Sequence, residues 1–170
     1  VAGRTLTAAA FRATMHEVER DFYDQVTDAV REFCSRFDIS EGFMLTIPQR
    51  QMSSCIAAAC RGWIERAGPP DDDELEEDEF ELFGDADERP RKPDLGPLLR
   101  TLVGIAHSVG DPRALEVVDS KYTELVANLK AYWREYAGKK VILFSFYRNT
   151  LHYLAKRLER DGIRSVVLHG

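Results

Sequence analysis

The chain has 170 residues, 44% of them hydrophobic, which is enough for one domain or for parts of two. No apolar run approaches the roughly 20 residues that a membrane-spanning helix needs, and no basic-then-apolar leader is present. The three cysteines, Cys34, Cys55 and Cys60, lack the C-x-x-C spacing of metal sites. We therefore expect a cytoplasmic protein with reduced thiols and no membrane contact.

The net charge of −6 conceals an uneven distribution. Residues 71–88 hold twelve acids and no base, and the rest of the chain has 17 acids against 23 bases. A basic body is compatible with nucleic-acid binding. A block of like charge cannot bury enough surface to fold, so residues 69–93 are predicted to be a disordered linker. Phe80, Leu82 and Phe83 interrupt this block. Either it is a solvated spacer, the simpler interpretation, or these residues form a docking motif or the block mimics nucleic-acid charge.

Helical periodicity accounts for most of the chain before residue 139. Apolar residues recur at spacings of three and four in four stretches, which predicts amphipathic helices. Pro48 suits the first turn of the second helix, and Asp119 or Ser120 suits the N-cap of the fourth. Residues 1–14 are interpreted as a tether and residues 38–47 as a connector. The four predicted helices cover residues 15–37, 48–64, 95–109 and 119–133.

The pattern changes after residue 139. Residues 141–146 form an apolar run rich in β-branched and aromatic side chains, which predicts a buried strand. A polar turn at residues 147–150 precedes a helix with Leu151, Leu154, Ala155 and Leu158 on one face. Gly162 suits the end of that helix. Residues 165–168 then predict a second strand, parallel to the first through a right-handed connection.

This last unit resembles the opening of the second RecA-like lobe of superfamily-2 helicases and translocases, most closely their Swi/Snf-like branch. In that family the first strand and the turn after it form motif IV. Glu19, Phe22, Tyr23 and Val26 look like the exit from the family's first ATPase lobe. Residues 50–54 look like its inter-lobe segment, and residues 119–121 look like its approach to lobe two. The pieces that match around motif IV are ILFSF at 142–146, YRNT at 147–150, LAKRLERDGI at 154–163 and LHG at 168–170.

The resemblance implies an α/β chain, in which a mostly helical inter-lobe region leads into an incomplete RecA-like βαβ unit of the P-loop NTPase type. The implied parts are a helical inter-lobe region at 1–68, the acidic linker at 69–93, a helical approach at 94–138 and the start of lobe two at 139–170.

Catalytic groups are absent from the sequence. It contains no G-x-x-x-x-G-K-S/T phosphate loop and no Asp-Glu pair after a strand to hold Mg²⁺. The four histidines are scattered, so no catalytic triad or metal site is predicted. The resemblance implies that the parent enzyme uses ATP and Mg²⁺, with the nucleotide-binding residues outside this chain. The chain itself is expected to bind no cofactor and to lack ATPase activity.

The candidate binding residues are those of the polar turn: Tyr147, Arg148, Asn149 and Thr150. A turn at the start of a helix presents backbone N–H groups and the positive end of the helix dipole, which suit a phosphate. In the family, this end of lobe two contacts the backbone of one nucleic-acid strand without reading its sequence. Gly170 is a weaker candidate at the same edge. Asn149 or Thr150 could cap the helix or contact the same phosphate. The alternative is that Asn149 only caps the helix and Arg148 is solvated.

The sequence therefore favours part of an ATP-dependent DNA helicase or translocase, whose partners are nucleic acid and the remaining parts of both lobes. A rival hypothesis is a helical protein-interaction module. A small flavodoxin-like or nucleotide-binding domain is disfavoured because the glycine-rich loop is missing. Two strands alone leave apolar faces and free edges, which predicts self-association through the incomplete sheet.

Overall fold

The structure of the protein is a computed structural model that describes residues 10–38, 40–66 and 96–168. The predicted linker at 69–93 and Gly170 lie outside the described residues. The described part contains helices α1 (Glu17–Phe37), α2 (Glu41–Ser54), α3 (Ile56–Arg66), α4 (Gly96–Ser108), α5 (Pro112–Val117), α6 (Ser120–Glu135) and α7 (Arg148–Arg160).

Helix α1 confirms the first predicted helix and shows why it begins where it does. His16 is the N-cap, and its imidazole accepts a hydrogen bond from the Val18 N–H. The Glu19 carboxylate accepts one from the His16 N–H at 2.8 Å, which completes a capping box. Its other oxygen accepts the Ser120 N–H at 3.2 Å. One buried carboxylate thus starts α1 and joins it to the beginning of α6.

The second predicted helix is two helices in the structure. α2 begins at Glu41, so Pro48 lies inside it rather than at its start, and the expected connector at 38–47 is largely helical. Cys55 adopts an extended backbone between α2 and α3. Its thiol accepts the Ala58 N–H at 3.4 Å, in the position of an N-cap side chain. Periodicity missed the break because the apolar spacing continues through it.

A first hydrophobic cluster joins α1, α2, α3, α4 and α5. Phe22 stacks on Trp63 with ring centroids 6.0 Å apart, and α4 contributes Leu98, Leu102 and Ala106 from one face. Tyr153 of α7 also belongs to this cluster. The helices on either side of the 67–95 gap therefore share one core.

A second, smaller cluster lies between α6 and α7. Leu154 of α7 packs against both clusters, so α7 bridges them. The buried members of this second cluster are Tyr122, Val126, Leu129 and Leu158, and the partly buried residues packed around them are Leu125, Trp133, Leu143 and Ile163.

The buried carboxylate of Asp119 fastens α7 to this scaffold. Asp119 caps α6 by accepting the Tyr122 N–H at 2.8 Å, and its other oxygen accepts the Tyr153 hydroxyl at 2.6 Å. The Arg157 guanidinium lies 3.7 Å from that same oxygen and donates to the Tyr153 hydroxyl at 2.8 Å. The thiol of Cys55 donates to Asp119 from the α2–α3 break. A single side chain therefore connects α6, α7 and the start of α3.

The predicted α/β fold with an incomplete RecA-like βαβ unit is wrong for the described residues, which contain helices and no strand. Residues 139–147 and 163–168 are without helix or strand pairing, although α7 and the left-handed Gly162 (φ +72°) lie between them as expected. Side-chain patterning favours an extended chain, but a strand also needs a hydrogen-bonded neighbour. Here Leu143 packs on α6 and α7 instead, and Phe144 is 91% exposed.

We expect Asp119→Ala to lower the free energy of unfolding by on the order of 3 kcal/mol, because it leaves Arg157 without its buried partner. Asp111→Ala is the matched control, since Asp111 is an exposed N-cap whose loss costs about 1 kcal/mol. Urea denaturation of both variants gives the comparison. Equal losses would mean that Asp119 acts only as a cap.

Candidate nucleic-acid interface

A cavity of about 490 Å³, which we call the junction cavity, lies where the end of α2, the segment 144–147 and the start of α7 meet. Its lining contains no acidic residue. It combines one arginine, hydroxyl side chains and aromatic rings: Arg50, Ser53, Ser54, Phe144, Ser145, Phe146, Tyr147, Thr150 and Leu154.

Hydroxyl groups hold the walls of the junction cavity together. The Ser54 hydroxyl lies 3.2 Å from that of Ser145 and 3.0 Å from that of Thr150, within hydrogen-bond distance of both. The Ser145 hydroxyl also accepts the Tyr147 N–H at 3.2 Å. These contacts fix the extended segment against α2 and α7, so the cavity has a defined shape.

The N-terminus of α7 opens beside this cavity without a capping side chain. Tyr147 is the N-cap residue and makes no side-chain cap hydrogen bond. The expectation that Asn149 or Thr150 caps the helix is therefore wrong, because the helix begins at Arg148. An uncapped helix start keeps its positive dipole end directed at the surface.

Arg50 is the cation of the cavity lining that sequence reasoning missed. Its guanidinium carbon lies 5.4 Å from the centre of the Phe146 ring, at the edge of the junction cavity. Residues 50–54 resemble a family segment, but nothing in their spacing points to the turn almost a hundred residues later. Packing of the end of α2 against residues 144–147 brings Arg50 and Phe146 together.

The four described candidate residues do not all face the cavity. Tyr147 and Thr150 line it, whereas Arg148 and Asn149 are exposed and do not. The Asn149 amide nitrogen lies 2.7 Å from the point that a Cβ at Gly62 would occupy, so Asn149 packs against α3. Only Tyr147 and Thr150 of the four candidate residues are therefore part of the cavity wall.

Tyr147 carries a buried hydroxyl with no hydrogen-bond partner among the described residues. Burial raises the pKa of Tyr147, and the positive charge of Arg50 opposes that rise only partly. The phenol therefore remains protonated at neutral pH. A buried polar atom of this kind costs free energy unless a water or ligand atom pairs with it.

The buried thiols offer no reactive group. Cys34, Cys55 and Cys60 form no disulfide, and burial raises the pKa of Cys55 to about 12 and that of Cys60 to about 11. Both thiols are therefore protonated at neutral pH and weakly nucleophilic. Within the ranges the structure describes, no three His, Cys, Asp or Glu side chains are grouped to hold a metal ion.

Comparison of this chain with protein-family models, with curated proteins and with solved structures finds no match. The helicase resemblance therefore rests on its sequence motifs. None of the described helices has the length and apolar character needed to cross a membrane.

We expect Tyr147→Phe to raise the free energy of unfolding by about 1 kcal/mol, because it removes an unpaired buried hydroxyl. Tyr122→Phe is the matched control: its hydroxyl donates to Asp161 at 2.7 Å, so its removal should cost about 1 kcal/mol. Thermal and urea denaturation report whether each substitution raises or lowers the free energy of unfolding. A loss of stability in both variants would show that the Tyr147 hydroxyl has a partner.

Proposed function

We propose that this chain binds the phosphate backbone of nucleic acid at the junction cavity, as one part of an ATP-dependent DNA helicase or translocase. The observation that carries the proposal is an acid-free cavity at an uncapped helix start, lined by hydroxyl groups and one arginine.

Each part of the cavity wall has a use in phosphate recognition. The start of α7 attracts negative charge through the helix dipole. The hydroxyls of Ser53, Ser54 and Thr150 are neutral donors of the kind that position a nucleic-acid backbone without reading its sequence. Arg50 adds a charge-assisted hydrogen bond to a phosphate oxygen. Contacts of this kind predict binding that is independent of base sequence.

Positive charge outside the cavity also favours the binding of nucleic acid. The chain without residues 71–88 has 23 basic against 17 acidic residues. Arg148 is exposed one residue beyond Tyr147, at the first position of α7. Positive charge around the cavity raises the local concentration of a polyanion and the rate of encounter.

The place of this chain in a larger enzyme rests on the motif IV resemblance. In such an enzyme ATP and Mg²⁺ are held by residues outside this sequence, since the chain has no phosphate loop. The chain's contribution is then to hold one strand of DNA while other parts of the enzyme hydrolyse ATP.

We expect Arg50→Ala to weaken binding to all sequences about equally and to lower the slope of log K against log salt by roughly one unit. Arg50→Lys should retain the slope, because it keeps the charge. Fluorescence anisotropy with labelled DNA at several salt concentrations measures both. Arg100→Ala, an exposed arginine on α4, is the control and should change neither.

Arg148→Ala tests the original sequence prediction in the same assay. A lowered salt slope would add Arg148 to the phosphate contacts, even though its side chain lies outside the cavity lining. If neither Arg50→Ala nor Arg148→Ala alters the affinity or the slope, the proposed function fails.

One observation favours the rival function of protein interaction. Several large apolar side chains near the end of the chain are exposed: Ile142, Phe144, Phe146, Val166 and Leu168. Unpaired extended segments with apolar side chains tend to pair with another chain.

The rival function predicts that the chain forms dimers or larger species. Under it we expect sedimentation to show concentration-dependent association that Val166→Ser combined with Leu168→Ser reduces, because the change removes exposed apolar surface. A monomer at every concentration tested would contradict self-association through this surface.

A further inference from the structure

We propose that the strand bound at the junction cavity is single-stranded, with unpaired bases stacked on Phe144 and Phe146. This inference rests on the proposed function and deepens it, because phosphate contacts alone do not distinguish a single strand from a duplex. The feature that carries it is a pair of exposed aromatic rings on the wall of a cavity that also holds a cation and hydroxyl donors.

The two rings are exposed on a segment that other contacts hold in place. Leu143 packs on the second hydrophobic cluster, and Ser145 contacts Ser54 of α2 through its hydroxyl. Phe144 is 91% exposed and Phe146 is 64% exposed. The rings are therefore presented to solvent by a segment that its neighbouring residues fix against the helices.

The surroundings of the rings suit nucleotides rather than one large apolar ligand, because Arg50 and hydroxyl groups line the same cavity. Phe146 meets Tyr147 edge to face, with centroids 5.4 Å apart and planes at 74°. Arg50 lies over the Phe146 ring at 5.4 Å. The aromatic surface thus adjoins a cation that can contact the phosphate of the same nucleotide.

An undeformed duplex gains little from such a surface, because base steps must first be unstacked. Its bases are stacked on one another and it presents phosphates and groove edges, so exposed phenylalanine faces gain little from it. An unpaired strand offers a π-face at every base. Proteins that bind single strands without sequence preference combine a positive groove with aromatic platforms. The junction cavity has both features in one place.

The experiment compares the full chain's affinity for an oligothymidylate of about 16 nucleotides, the upper end of a typical site, with that for a duplex of equal length. We expect tighter binding to the single strand. Phe144→Ala should weaken single-strand binding roughly 5- to 150-fold and leave duplex binding unchanged. Phe144→Tyr should bind like the original chain, because it keeps the aromatic face. Phe37→Ala, a half-exposed phenylalanine at the end of α1, is the control.

The possible results separate this inference from the proposed function. Equal affinity for both DNA forms, with no effect of Phe144→Ala, would overturn base stacking while a lowered salt slope in Arg50→Ala still supports backbone binding. No measurable binding to either form would overturn both. A Phe144→Ala variant that loses self-association but keeps its single-strand affinity would assign the ring to a second copy of the chain and overturn the inference. Phe144 is highly exposed, so its replacement should leave the melting temperature unchanged.

Discussion

The buried carboxylate of Asp119 is the interaction on which the arrangement of the later helices depends. It caps α6, accepts the Tyr153 hydroxyl of α7 and faces Arg157 at 3.7 Å. Arg157 in turn lies 3.9 Å from the centre of the Tyr122 ring. A charge buried in this way is tolerated because each oxygen has a partner. With α7 fixed, its N-terminus has a defined position beside α2.

Glu116 reinforces the same junction from α5. Its carboxylate pairs with Arg61 of α3 and with Arg160 of α7, the latter at 3.0 Å, while the Arg157 guanidinium donates to its backbone carbonyl. Two acids and three arginines therefore link the short helix α5 to both hydrophobic clusters. The junction cavity lies near this network, and its own hydroxyl contacts hold the extended segment across α2 and α7. A surface assembled from three distant stretches of chain is consequently held in one shape, which binding with low ordering cost requires.

The same arrangement explains why residues 141–146 are compatible with either a nucleic-acid surface or a protein-interaction surface. Residues 141–146 have the composition of a buried strand, yet Leu143 and Ser145 contact the helices while Ile142, Phe144 and Phe146 are exposed. These exposed apolar side chains suit either bases or another chain. Arg50 and the hydroxyl groups line the same cavity as Phe144 and Phe146, whereas Val166 and Leu168 are not among its lining residues. The first pair of side chains therefore has polar neighbours that suit nucleic acid, and the second pair suits an apolar partner.

Local sequence determined the features that depend on neighbouring residues. Helices α1, α4, α6 and α7 follow from apolar spacing, and the Asp119 cap and the turn at Gly162 follow from backbone preferences at single positions. Tertiary structure decided whatever needs a distant partner. The break at Cys55 and the placement of Arg50 beside Phe146 depend on it. So does the absence of strand pairing among the described residues, because a β-strand is defined by hydrogen bonds to a neighbour that sequence patterning cannot supply.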